Sequence, residues 1–70
     1  MAGAQAPANM RGVLNMKVIL TQTKRPNEWN VWILFADGSY SDQYETAKAA
    51  WRIAWHEHRN NGATIEVVPY

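Results

Sequence analysis

Residues 45–62, ETAKAAWRIAWHEHRNNG, decide the fold of this 70-residue chain, because no other long segment has the apolar spacing of an α-helix. At about 100° per residue, one sector of the predicted helix collects small and aromatic side chains. This sector predicts a stripe buried against the rest of the protein. Its members are Ala47, Ala50, Trp51, Ala54 and His58, with Ile53 and Trp55 on the flanks.

A second sector of the same helix carries cationic side chains and predicts a basic face exposed to solvent. It comprises Lys48, Arg52, His56 and Arg59. The Thr46 hydroxyl is expected to cap the helix N-terminus, with Glu45 beside the positive end of the helix dipole. Asn60, Asn61 and Gly62 favour a left-handed C-terminal cap, so the helix should end at about Asn60.

The other ordered segments have the period-two alternation of β-strands. Residues 13–22 predict a half-buried strand, and residues 29–36 predict a central strand that is apolar on both faces. Asp37 and Gly38 both tolerate positive φ and predict a two-residue hairpin turn, so residues 39–44 should return antiparallel. Residues 63–68 predict a last strand. Its inward-facing side chains are Ile65 and Val67.

These elements predict an α+β fold in the order βββαβ: a four-stranded, mainly antiparallel sheet with one helix packed across it. A helix connection suits parallel strands, so the last strand is expected beside the first and parallel to it. Residues 1–12 are rich in Ala, Gly, Pro and Asn without periodicity and predict a disordered tail. Residues 13–70 are then a single domain.

Composition narrows the classes of function. Seven Lys and Arg residues against six Asp and Glu give a net charge of +1, far from the basic excess of a committed nucleic-acid binder. The chain has no cysteine, so neither disulfides nor thiolate metal sites are available to it. No apolar run approaches the roughly 20 residues of a membrane span, and no signal-peptide pattern opens the chain. We expect a soluble, cytoplasmic protein with no membrane partner.

Residue types that carry catalysis or bind metals occur without the required spacing. His56 and His58 flank Glu57, but side chains two residues apart on a helix point about 200° from each other and cannot converge on one ion. The carboxylates lie beside turns or at the helix start, where structural roles suffice. There is neither a G-x-S-x-G elbow nor a glycine-rich phosphate loop. The sequence therefore predicts no metal, no cofactor, no catalytic residue and no enzyme.

Two surfaces remain as candidate binding sites. The basic helix face is either a solvated surface or a docking site for something acidic, with Trp55 as an aromatic anchor. Trp32, with Leu34 and Ile19, should line the sheet face away from the helix. That apolar patch is either covered by the tail or a loop, or is an interaction site that includes homodimerisation. The candidate partner-binding residues are Lys48, Arg52, Trp55, Arg59 and Trp32.

The stretch with W-x-V-x-I, a short hairpin and Y-E-T-A-K-A-A-W resembles the sheet-plus-helix DNA-binding module of plant AP2 factors and of phage integrase arm-binding domains. That resemblance covers under half of the chain and implies DNA binding through Arg and Trp on the sheet. Residues 29–44, however, contain neither Lys nor Arg. Together with the final I-E-V-V-P, the pattern also resembles the small inhibitor of host RNA polymerase from T7-group phages. Glu66 stands where that family places arginines. Uncharacterised bacterial and phage domains of similar size and element order are a third similarity.

The interpretation that follows is a small, non-catalytic protein-binding module, of which a phage-encoded protein that binds a host protein is one form. Small size, four tryptophans and the absence of catalytic motifs carry it. Nucleic-acid binding through the basic helix face is the alternative. A homodimeric structural domain is a third interpretation.

Overall fold

A computed structural model describes residues 16–70 of the chain. The predicted tail, residues 1–12, and the first part of the predicted first strand, residues 13–15, lie outside the described residues. Met16 is not part of a strand, so the first strand begins at Lys17. The elements in chain order are β1 (Lys17–Gln22), β2 (Trp29–Leu34), β3 (Tyr40–Glu45), α1 (Ala47–Asn61) and β4 (Thr64–Val68).

The described part of the chain forms a sheet of four strands in the spatial order β3-β2-β1-β4. β2 is antiparallel to both β1 and β3, and β4 is parallel to β1. This confirms the predicted α+β fold, the βββαβ order and the pairing of the last strand with the first. The helix connection makes the parallel pair possible, because parallel neighbours cannot be joined by a tight turn.

The hairpin between β2 and β3 differs from the predicted two-residue turn. Phe35 N donates to Ser39 O at 2.8 Å, and Gly38 N donates to Phe35 O at 3.0 Å, which closes a three-residue loop. In this loop Gly38 has a positive φ of 92°, whereas Asp37 does not. A three-residue loop built on a turn and one left-handed residue is a common alternative for hairpins. β2 therefore ends at Leu34 rather than residue 36, and β3 begins and ends one residue later than predicted.

The core lies between α1 and the central strands. Its fully buried side chains come from β1, β2, the helix and the residue before β4: Val18, Leu20, Val31, Ala50, Ala54 and Ala63. Trp51 and Ile53 pack against this cluster while half-buried. The prediction that His58 belongs to the buried stripe is wrong, because His58 is exposed near the C-terminal end of the helix. Val67, predicted to face inward, is 41% exposed because β4 is an edge strand.

Both ends of α1 are capped, the N-terminus by side-chain oxygens and the C-terminus by a glycine in the left-handed conformation. The Thr46 hydroxyl accepts a hydrogen bond from Ala49 N at 3.2 Å, as predicted for an N-cap. Asn27, in the β1–β2 loop, adds a second bond, since its Oδ1 accepts from Ala47 N at 3.1 Å. At the other end Gly62 has a φ of 71° and its N–H bonds to His58 O at 3.1 Å. The predicted left-handed cap is confirmed, and the helix runs through Asn61.

Candidate functional site

The cationic side chains of α1 form one exposed strip, here called the basic ridge: Lys48, Arg52, His56 and Arg59. All of them are exposed, as the helical spacing predicted. The sequence folds in this way because the alanines on the opposite side of the helix pack on the sheet and fix its rotation. The helix acid, Glu57, lies away from the ridge and accepts a hydrogen bond from Asn61 Nδ2 at 2.7 Å.

Ion pairs within the described part of the chain do not neutralise the basic ridge. Among residues 16–70 the ion pairs are Lys17–Glu66, with Nζ and Oε1 2.9 Å apart, and Arg25–Glu28, at 3.7 Å. Both lie outside the helix. The ammonium of Lys48 and the guanidiniums of Arg52 and Arg59 are therefore available to a partner's carboxylates or phosphates, and a guanidinium can bind either in a bidentate way.

Trp55 borders the basic ridge and is 49% exposed. Its indole stacks on Trp51, with ring centroids 6.4 Å apart, and Trp51 packs against the core. On its other side the His58 ring meets it edge-on at 5.3 Å. His58 is itself held, because its Nδ1 lies 2.9 Å from Ala63 O. A carbonyl oxygen only accepts hydrogen bonds, so Nδ1 carries the proton.

Trp55 is therefore an exposed aromatic side chain that also contacts two neighbouring rings. Side-chain ordering is one of the costs of forming an interface. Contacts with Trp51 and His58 restrict the conformations of the Trp55 side chain before a partner binds, so less entropy remains to be lost on binding. Tryptophan and arginine are also the residues most enriched among those that contribute most to binding at protein interfaces.

Arg52, Trp55, His56, Arg59 and Asn60 line a shallow cleft of about 450 Å³ on the helix surface. Within it Asn60 Nδ2 lies 3.1 Å from His56 Nδ1, one helical turn away. Asn60 was not among the predicted site residues, although its i, i+4 spacing from His56 was a usable signal. The cleft combines guanidinium groups, an indole face and an amide, which suits an acidic segment with an apolar side chain.

The predicted site residues fall on two different surfaces. Lys48, Arg52, Trp55 and Arg59 share the exposed side of α1. Trp32 lies on the sheet face away from α1, here called the outer face, because its neighbour Val31 is fully buried beneath the helix. Trp32 therefore takes no part in the cleft on the helix.

Metal-binding and membrane-spanning features are not found in residues 16–70. No group of three or more His, Cys, Asp or Glu side chains there is placed to hold a metal ion. No helix in that range has the length and apolarity needed to span a bilayer. Hydrogen bonds from Ser39 lower the pKa of Asp37, which lies in the hairpin loop and not in the cleft.

Comparison with known proteins found no match to a protein-family model, a curated protein or a solved structure.

Proposed function

We propose that this chain is a small, non-catalytic protein-binding module whose basic ridge docks on an acidic surface of a partner protein. The observation that carries the proposal is Trp55, an exposed indole that contacts the Trp51 and His58 rings and lines one cleft with Arg52 and Arg59. Tryptophan and arginine are enriched among the residues that dominate binding at protein interfaces, and this cleft combines them. A phage-encoded chain that occupies a host protein is one form of this proposal.

The charge distribution favours a partner protein over nucleic acid as the occupant. A phosphate backbone is bound by many cations spread over a groove-sized surface. The ridge offers a single row on one helix, and the sheet strands β2 and β3 carry no Lys or Arg. A localised acidic patch on a protein matches one row of cations better than an extended phosphate backbone does.

The experiment compares capture of partners from an extract of the cells in which the chain naturally acts. Wild type is compared with Arg52→Glu and with Thr64→Glu, a control that introduces the same carboxylate at an exposed position outside both the ridge and β3. We expect Thr64→Glu to retain the captured protein and Arg52→Glu to lose it, because Arg52 lines the cleft and Thr64 does not. Nuclease treatment should leave the capture unchanged.

Two results would contradict this proposal. One is equal capture by wild type and Arg52→Glu. The other is capture that nuclease abolishes and that weakens by orders of magnitude between about 50 and 200 mM salt, since this is the behaviour of phosphate-driven binding. The second result would assign the ridge to nucleic acid.

A further inference from the structure

The outer face carries a cluster of aromatic side chains around one carboxylate. Trp32 on β2 pairs directly with Asp42 on β3, and both side chains point away from α1. Directly paired residues in a sheet have Cβ atoms about 5 Å apart. Tyr40 and Tyr44 flank Asp42 on the same side of β3 and are 63% and 65% exposed. The ring centroids of Trp32 and Tyr40 are 5.6 Å apart.

No cation among the described residues of this face forms an ion pair with Asp42. Lys17 shares the outer face but forms an ion pair with Glu66 at 2.9 Å. Asp42 itself has no ion-pair partner among residues 16–70. Aromatic ring faces attract cations, and the carboxylate adds a full negative charge. The cluster of Trp32, Tyr40 and Asp42 thus has the chemistry to bind a lysine or arginine side chain.

Within residues 16–70, the backbone next to this cluster is a sheet edge without a neighbouring strand. β3 is at the end of the strand order, so one side of it has no neighbouring strand among the described residues. Phe35 N bonds to Ser39 O, and hydrogen-bonded pairs alternate along an antiparallel ladder. The backbone groups that point outward from β3 therefore belong to Tyr40, Asp42 and Tyr44, the same residues whose side chains lie on the outer face.

The C-terminal end of β3, at Tyr44, favours a ligand side chain of the opposite charge to the one that Asp42 favours. Tyr44 shares a shallow cleft with Lys24, Arg25 and Glu28 of the β1–β2 loop. Arg25 is paired with Glu28 at 3.7 Å, which leaves the ammonium of Lys24 as the net charge of that group. A second cation opposite Tyr44 would be repelled, whereas an acidic side chain there would be attracted.

We infer that the edge of β3 receives an extended segment of a partner protein, added antiparallel as a fifth strand. This segment carries a lysine or arginine opposite Asp42, in contact with Trp32 and Tyr40, and an acidic residue opposite Tyr44. Main-chain hydrogen bonds to an exposed edge supply the affinity in this mode of recognition, and alternate side chains supply the specificity. This surface is separate from the basic ridge, and the inference does not rest on the function proposed for the ridge.

The test uses two synthetic peptides of identical composition and the full chain labelled with ¹⁵N. One peptide, Thr-Glu-Thr-Arg-Thr-Val-Thr, places arginine opposite Asp42 and glutamate opposite Tyr44 in the antiparallel register. The other, Thr-Arg-Thr-Glu-Thr-Val-Thr, exchanges the two charges. We expect saturable shifts of the Trp32 indole N–H with the first peptide. Its dissociation constant should be about three- to fivefold lower than that of the second, as expected for an exposed ion pair with an aromatic contact.

Two variants distinguish a specific contact with Asp42 from a general effect of negative charge on β3. Asp42→Asn should remove the difference between the peptides. Glu45→Gln should preserve it, because Glu45 pairs with Trp29 and so lies on the helix side of the same strand. The indole signals of Trp51 and Trp55 serve as internal references.

Four outcomes would overturn the inference. They are no saturable shift of Trp32 up to the solubility limit of the peptides, equal binding of both peptides, an equal loss in Glu45→Gln, and shifts that appear without peptide as the protein concentration rises. The last outcome would mean that a second copy of this chain occupies the edge.

Discussion

At the scale of single residues, Asp37 shows how a hairpin loop sets the charge state of its own carboxylate. Asp37 Oδ1 accepts hydrogen bonds from Ser39 N at 2.9 Å and from Ser39 Oγ at 2.6 Å. These bonds favour the ionised form and hold the pKa of Asp37 below its ordinary value of 3.8. Because the folded-state pKa is lowered, the carboxylate stabilises the fold above pH 3.8, and this contribution is lost as pH falls through the folded pKa.

The substitution Ser39→Ala tests that account. It removes the hydroxyl bond, the largest cause of the shift, and keeps the backbone N–H of residue 39. We expect the pKa of Asp37 to rise toward 3.8 but to stay below it. An NMR titration of the Asp37 carboxyl carbon measures this directly. An unchanged pKa would show that the hydroxyl has no part in the shift.

Asn27 performs two structural roles that different substitutions can separate. Its backbone is left-handed, with a φ of 57°, and its Oδ1 caps the N-terminus of α1 through Ala47 N. Asn27→Ala loses the cap and strains the backbone, so we expect a loss of about 2 kcal/mol of unfolding free energy. Asn27→Gly loses only the cap, and we expect about 1 kcal/mol. Urea denaturation of both variants gives the comparison; an equal loss would mean that the backbone conformation costs nothing.

At the scale of elements, the packing of α1 on the sheet depends on two small side chains. Ala50 and Ala54 are fully buried against β1 and β2. Larger side chains at these positions would push the helix away from Val18, Leu20 and Val31, which are also fully buried. The same close approach fixes the rotation of the helix and thereby the direction of the basic ridge.

Ala54→Leu is predicted to destabilise the protein by about 1 to 3 kcal/mol, since added methyl groups in a packed core force neighbours apart. Lys48→Leu places the same side chain at an exposed position of the same helix. That control should change stability by about 0.5 kcal/mol or less. Thermal unfolding of both variants checks the prediction. Equal stability of Ala54→Leu and the control would show that the helix does not pack as closely as Ala54 implies.

The elements could be predicted because their patterns are strong. Alternation marked the strands, and Thr46 and Gly62 marked the ends of the helix within one residue. The three-residue loop was missed because Asp and Gly suit either kind of hairpin, and a single φ decides between them. His58 was wrongly predicted to be buried because a helical wheel shows only the direction in which a side chain points from the helix axis. It does not show how far along the helix the sheet extends, and His58 lies near the end of the helix.

At the scale of the whole molecule, the two sides differ in charge. The exposed side of α1 presents the basic ridge, whereas the outer face presents Asp42 among aromatic rings and a Lys17–Glu66 pair. The row of helix cations could be predicted from sequence by counting in steps of the helical period. The ring contacts of Trp55 could not, because they involve Trp51 and a His58 ring whose Nδ1 bonds to Ala63 O.

Site-specific photo-crosslinking tests the central claim, that the helix cleft is the surface a partner protein occupies. The photoreactive aromatic amino acid p-benzoylphenylalanine replaces Asn60, an exposed residue that lines the cleft, in one variant and Tyr70, which is 82% exposed, in a control variant. Trp55 is kept in both variants, and both are illuminated in an extract of the cells in which the chain naturally acts. We predict a discrete protein adduct from position 60 that is absent from position 70 and from a position-60 variant that also carries Arg52→Glu. Equal adducts from both positions, or none from position 60, would contradict the claim.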